Sequence, residues 1–168
     1  MPHIIGIGGV SRSGKSMLAR KLKKKLEPRK VLIIDMDAYV IPEKDIPKIN
    51  GLSNWEVPES YDFERILETI EKNPDCDAII IEGIRAFASI ELNNLYDLTV
   101  IMKITKSTYL NRRKEETRWG NEPDWYLEYV WEAHQKYGVI ADADFVLSGE
   151  KEITENELSD IVDKARLQ

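Results

Sequence analysis

Cysteine is nearly absent from this chain: Cys76 is the only one in 168 residues, so no disulfide can form within it. A reducing, cytoplasmic compartment is the natural expectation. Histidine is almost as scarce, and His3 and His134 lack the Cys, His or carboxylate spacing of a zinc site. No apolar run approaches the roughly 18 residues that a membrane span requires, and the N-terminus lacks the charged and apolar blocks of a secretory leader. Excess positive charge is missing too. The formal net charge of −6 tells against a broad nucleic-acid or acidic-membrane surface, because such surfaces are basic. Neither repeats nor low-complexity linkers divide the chain. What these absences leave is one soluble globular domain over 1–168, long enough for a sizeable core; a small-molecule substrate and a monomer or homodimer are the expectation.

What is present is an alternation of strand and helix patterns, which predicts an α/β fold with a parallel sheet. Short apolar runs at Ile4 to Ile7, Val31 to Ile34, Ala78 to Ile81, Leu98 to Ile104 and Phe145 to Leu147 read as five strands. Between them, Leu18, Leu22 and Leu26 mark a helix from Ser16 to Leu26, with Pro28 beyond its end. Phe63, Ile66, Leu67 and Ile70 mark a second helix, closed by Asn73-Pro74. Ser107 reads as the cap of a helix running to about Arg118, and Pro123-Asp124 open another that reaches Gly138. Thr154 and Glu157 have the spacing of a capping box ahead of Leu158, Ile161, Val162 and Ala165.

The sharpest signal is "GGVSRSGKS", which from Gly9 onward fits G-x-x-x-x-G-K-[ST], directly after a strand and directly before an amphipathic helix. In that context the backbone N–H groups of a Gly-rich turn surround phosphate oxygens, and the helix N-terminus adds partial positive charge. The nucleotide-binding stretch is therefore Gly9, Val10, Ser11, Arg12, Ser13, Gly14, Lys15, Ser16 and Met17. Lys15 is expected to reach the β- and γ-phosphates and to stand exposed without ligand. Ser16 is expected to offer its hydroxyl to magnesium, Ser11 and Ser13 to hydrogen-bond within the loop, and the Arg12 side chain to be solvated. ATP and Mg²⁺ are the cofactors implied.

A GTPase would carry an N-K-x-D element, and the nearest string, Thr105-Lys106-Ser107-Thr108, lacks the Asp. Motor and transporter ATPases are generally larger. A small phosphotransferase remains, which needs a base, a metal-organising carboxylate and a basic lid. Asp37 lies at the C-terminal edge of a predicted parallel strand, where ligands collect in open sheets, with Asp35 two positions earlier. Glu82 ends the third strand as a candidate for the metal, alongside Ser16 and Asp37. The ordinary alternatives are a turn for Asp37, a loop-capping acceptor for Asp35 and a surface charge for Glu82. Trp125, Tyr126, Tyr129, Trp131 and Tyr137 crowd one helix and read as core. Lys21, Lys23, Lys24 and Lys25 read as a solvated face.

Five segments, "IIGIGGVSRSGKS", "DMDAYVIP", "INGLSNWEVPESYD", "IIIEGIRAF" and "NRRKEETRWG", taken in that order, resemble the uridine kinase and nicotinamide riboside kinase branch of the P-loop nucleoside kinases. The resemblance covers most of the chain. It implies a three-layer P-loop fold with a five-stranded parallel sheet, an acceptor loop at about 38–60 and a helical lid at about 107–124. It also implies transfer of the ATP γ-phosphate to the 5′-hydroxyl of a ribonucleoside. Asp37 matches the family's base, two residues before the aromatic Tyr39, and Glu82 matches the acid of its "EG" strand end. Trp55 and Glu56 match a pair that stacks on the base and binds ribose hydroxyls, although Trp55 can equally be a loop anchor packed on the core. Arg112, Arg113 and Arg118 fall in the lid, with Arg113 and Arg118 assigned to catalysis and Arg118 also to substrate. The usual acid after the aromatic is Asp, whereas here it is Glu56. The uracil-reading hairpin and the R-G-R-D lid sequence of uridine kinases are absent, which favours a nicotinamide riboside-like acceptor over a pyrimidine nucleoside. Two other readings share the same ATP half: a kinase for a non-nucleoside metabolite such as pantothenate or a sugar phosphate, and a nucleotide-binding regulator without turnover.

Overall fold

The computed structural model describes residues 1–118 and 120–167; Trp119, which belongs to the "NRRKEETRWG" segment, and Gln168 lie outside them. Five parallel strands build one sheet: β1 (His3–Gly9), β2 (Val31–Asp35), β5 (Ala78–Gly83), β6 (Leu98–Lys103) and β7 (Phe145–Ser148). Their spatial order is β2-β5-β1-β6-β7. Two strands of two residues each, β3 (Lys48–Ile49) and β4 (Leu52–Ser53), pair antiparallel apart from it. The helices are α1 (Lys15–Lys25), α2 (Phe63–Glu71), α3 (Ile90–Asn93), α4 (Lys106–Lys114), α5 (Asp124–Tyr137) and α6 (Glu155–Lys164).

A parallel sheet must be covered on both faces, and its strands are accordingly apolar throughout rather than alternating. All six residues of β5 are buried. Its Ala78 and Ile80 face a cluster with Leu18 and Leu22 of α1 and Leu158 and Ile161 of α6. Ile79 and Ile81 face the opposite cluster with Ile66 and Ile70 of α2 and Leu92 of α3. Burying each such side chain contributes about 1.5–3 kcal/mol, so the sheet centre is the most strongly held part of the molecule. A third cluster joins Val10 to Tyr109 of α4 and to Tyr126 and Val130 of α5.

The register sets the stage for chemistry. Asp35 at the end of β2 stands opposite Glu82 on β5, and Glu82 stands opposite Ile7 on β1, two residues before Gly9 and the Gly-rich loop. All three strand ends open on the same edge. Among the described residues no helix is long and apolar enough to cross a membrane.

Two helix boundaries differ from the sequence expectation. The cap of α4 is Thr105, whose side chain accepts the Thr108 N–H, rather than Ser107, because Thr105 is the last extended residue after β6. The helix also ends at Lys114, so Arg118 lies beyond it on an irregular segment. The capping box of α6 is present with both of its bonds.

Candidate active site

The turn between β1 and α1 is shaped by its glycines. A Cβ on Gly9 would lie 2.5 Å from Ser13 Oγ and 2.6 Å from the Met102 carbonyl, so only glycine fits there. Gly14 has a φ of 96° and starts α1 with no side-chain cap, which leaves the first-turn N–H groups for another acceptor. Lys15 is buried rather than exposed, at 8% of its free surface. Its Nζ donates to the Val10 carbonyl at 3.0 Å, turning back into the loop instead of standing in water. Burial pulls its pKa down, and the opposing charges of Glu82, Asp37 and Asp35 resist that pull. Arg12 is not simply solvated either: Nη1 meets Glu116 Oε2 at 3.0 Å.

Across from Lys15 stand three carboxylates. Glu82 is 3% exposed, no surface charge, and burial raises its pKa while hydrogen bonding with Ser16 lowers it. Asp37 sits in a single 3-10 turn (Met36–Ala38) whose N-terminus is capped by Asp35, Oδ1 accepting the Asp37 N–H at 2.9 Å. Asp35 therefore has the loop-capping role. Asp37 reaches solvent at the cleft surface, but the surrounding walls remove it from bulk water and raise its pKa, with Asp35 adding to the rise and Lys15, Arg118 and Arg113 opposing it.

These groups line a cleft of about 1410 Å³ that Trp55, Glu56, Tyr61 and Tyr126 line as well. Lys15, Ser16, Met17, Asp35, Asp37, Glu82, Arg112, Arg113 and Arg118 all border it, so one cavity gathers nearly all the residues that the sequence singled out. Tyr39 is not among its lining residues. Its hydroxyl meets Thr69 Oγ1 at 3.3 Å and Arg65 lies over its ring at 4.7 Å, so it packs on α2 and the substrate role expected of it does not fit this placement. Ser13 is fully buried behind the loop and borders a smaller cavity with Lys21, Gly149 and Glu152.

No protein-family model matches the chain. Nicotinamide riboside kinase 2 of Mus musculus is 28% identical over 158 residues, covering 82% of this chain and 80% of that protein. Uridine-cytidine kinase B of Dictyostelium discoideum is 25% identical over 179 residues, covering 89% of this chain and 72% of that protein. The chain resembles the uridine kinases and nicotinamide riboside kinases among the P-loop kinases. It is an ATP-dependent phosphotransferase. Shikimate kinase of Aquifex aeolicus shares the fold, with a TM-score of 0.56 at 21% identity over 97% of this chain and 96% of that one.

In this kinase Arg112, Arg113 and Arg118 are held in different ways. Arg113 donates Nε and Nη2 to the two carboxylate oxygens of Glu122 at 2.8 and 2.9 Å, and Nη1 to Ser11 Oγ at 2.8 Å, tying α4 to the Gly-rich loop. Arg112 donates to the backbone carbonyls of Arg12 and Gly149, at 3.0 and 2.9 Å, a bracing role. Arg118 pairs with Glu116 at 2.7 Å.

Glu56 holds the least expected position. It is 4% exposed, pairs with the fully buried Arg85 at 3.1 Å, and burial pushes its carboxyl up to about 7 even though Arg85 draws it down. Neither Arg85 nor Tyr126 was picked out as a site residue by the sequence patterns. Arg85 sits in "EGIRAF" just past a strand end, where a charge reads as surface, and Tyr126 packs in the core as expected while one side of it borders the cleft. Of the neighbouring aromatics, Trp131 stacks on Tyr109 with centroids 5.5 Å apart, whereas Trp125 is 38% exposed. Lys21 and Lys25 are not merely solvated, since they pair with Glu152 and Glu155.

Proposed function

We propose that this kinase transfers the γ-phosphate of ATP to the 5′-hydroxyl of a ribonucleoside, of the nicotinamide riboside or pyrimidine kind. The observation that carries the reading is that one cleft is lined by Lys15 and Ser16, by Asp37, and by Trp55 and Glu56. The family relatives, named for nicotinamide riboside and for uridine and cytidine, support the acceptor class.

The chemistry asks little covalent work of the protein. Asp37, with its raised pKa, takes the proton of the acceptor hydroxyl as the oxygen forms its bond to the γ-phosphorus and the bond to the β–γ bridging oxygen breaks, releasing ADP. Lys15, drawn from the Val10 carbonyl onto phosphate, and Arg113 and Arg118 stabilise the charge that spreads over the transferring group. Among the described residues no three or more His, Cys, Asp or Glu side chains form a metal cage. The site instead suits magnesium, which keeps several waters and phosphate oxygens and needs only one or two protein oxygens. Ser16, Glu82 and Asp37 would supply such oxygens, in a carboxylate cluster that Lys15 faces. When bound, the ion would neutralise phosphate charge.

At the acceptor end, Trp55 offers a face for a flat base and Glu56 an acceptor for ribose hydroxyls. A cationic nicotinamide ring would add about 0.5–2 kcal/mol of cation–π attraction to an indole face. The test is ADP release, coupled to a second enzyme, across nicotinamide riboside, uridine, cytidine, pantothenate and small sugars. A ribonucleoside is expected to be the best acceptor, with Trp55→Ala raising its KM by about tenfold or more while the KM for ATP stays nearly unchanged. Preference for a non-nucleoside alcohol, or equal losses for ATP and acceptor in Trp55→Ala, would contradict the reading.

A further inference from the structure

Among the described residues Arg85 is the largest fully buried side chain, it carries a charge, and it does not border the cleft. It stands three residues after Glu82, where the chain leaves β5, and its donors reach across 29 positions of sequence. Nε donates to the Glu56 carbonyl at 3.0 Å and Nη2 to Glu56 Oε2 at 3.1 Å, with a further bond from Nη2 to that same carbonyl. Nη1 donates to the carbonyl of Ile84 at 3.1 Å. Among the described residues, Glu56 is the only carboxylate paired with it. Behind it lie the Tyr137 ring, with its centroid 5.8 Å from Cζ, and the buried His134, whose pKa burial and the nearby cations hold down at about 3.

A hydrophobic side chain of similar volume would fill this space without desolvating two charges. What the ion pair adds is geometry. The segment around Glu56 has almost no sheet or helix of its own and is held by side chain to backbone bonds: Ser60 Oγ donates to the Asn54 carbonyl and the Glu56 N–H to Asn54 Oδ1. Asn54 anchors it to α5 through the Tyr129 hydroxyl at 2.8 Å. Arg85 grips Glu56, which borders the cleft, at both the backbone carbonyl and the side-chain carboxylate.

We infer that Arg85 is a positioning residue for acceptor recognition, clamping Glu56 so that its carboxylate is presented to the cleft in one fixed orientation and coupling the acceptor loop to the strand that carries Glu82. The inference rests on the reading of this cleft as a phosphotransfer site. Arg85 itself touches neither substrate; it acts through Glu56.

The test compares wild type with Arg85→Gln and Arg85→Lys, the second keeping the charge but losing the planar fork. In the free protein, amide exchange over residues 54–60 is expected to rise about tenfold in both variants, with α1 unchanged. Glu56 is faced by Arg85 and Arg113, which favour its ionised form, and by Glu122 and Asp37, which oppose it. Its carboxyl carbon, followed by NMR, should therefore titrate at higher pH in Arg85→Gln and close to wild type in Arg85→Lys. With nicotinamide riboside as the probe, the acceptor KM should rise about tenfold and the KM for ATP stay within about twofold. Unchanged exchange over 54–60, or a uniform loosening of the whole molecule with both KM values raised together, would overturn the inference. Should Arg85→Gln fail to fold, Arg85→Lys decides through loop exchange and the KM split. Failure of wild type to phosphorylate nicotinamide riboside, uridine or cytidine would count against the nucleoside reading, and the exchange and titration results would still decide the role of Arg85.

Discussion

Asp37 and Asp35 stand two residues apart, yet the structure gives them different work. Asp35 spends an oxygen on the Asp37 N–H, while Asp37 faces the cleft with its pKa raised by its surroundings and by Asp35. Asp37→Asn is expected to lower turnover by about 10²–10⁴, the range for losing a positioned general base, with little change in ATP binding. Because a base works ionised, activity should fall as pH drops through the raised pKa of Asp37, above the usual aspartate range. Asp35→Asn removes a negative neighbour, so the Asp37 pKa should drop and the acid limb of the rate profile move to lower pH. A pH profile of kcat/KM for both enzymes checks this; an acid limb that moves upward in Asp35→Asn would contradict it. The gathering of Lys15, Ser16, Asp37 and Glu82 at one cleft was legible from sequence because each sits at a fixed offset from a strand end. Arg85 was not, since its partner Glu56 is distant in sequence and no periodicity links a residue after β5 to a loop before α2. Tyr39 misled for a related reason: its spacing from Asp37 is right, but the 3-10 turn between them points its ring at α2.

Among the elements, the Gly-rich loop and its helix were readable because the motif demands a strand before it and a helix after it. The hairpin of β3 and β4 escaped the strand patterns, its strands being only two residues long. Its turn did carry a signal: Asn50 and Gly51 have φ of 47° and 82°, the positive pair that an Asn-Gly hairpin turn favours. The end of α4 was misplaced because charged residues continue past Lys114 with no proline or glycine until Gly120. Loop geometry makes a prediction at this scale. Gly9→Ala introduces a Cβ against Ser13 Oγ and the Met102 carbonyl, and the loop must shift to admit it. The KM for ATP should rise by about tenfold or more while far-ultraviolet circular dichroism stays unchanged. Wild-type ATP affinity in this variant would show that the loop does not hold phosphate in its present shape.

For the whole molecule, a two-sided sheet core fixes the three strand ends that carry the charges, so nucleotide and fold stability are linked. MgADP at about 100 times its dissociation constant adds roughly 2.7 kcal/mol, which for a domain of this size raises Tm by about 5–10 °C. Lys15→Ala should fold normally and show a smaller shift, as measured by thermal denaturation with and without nucleotide. The number of strands and their parallel sense followed from the alternation of patterns. Their order, β2-β5-β1-β6-β7, did not, because buried apolar runs of similar composition carry no label of their neighbours. The central claim is that this cleft moves phosphate from ATP to a nucleoside hydroxyl, and phosphorus NMR of the products tests it most directly. With ATP, magnesium and nicotinamide riboside or uridine, wild-type enzyme should yield ADP and a 5′-phosphomonoester in equal amounts, and Asp37→Asn should yield almost none. ADP with free inorganic phosphate and no phosphomonoester, for every nucleoside offered, would contradict it.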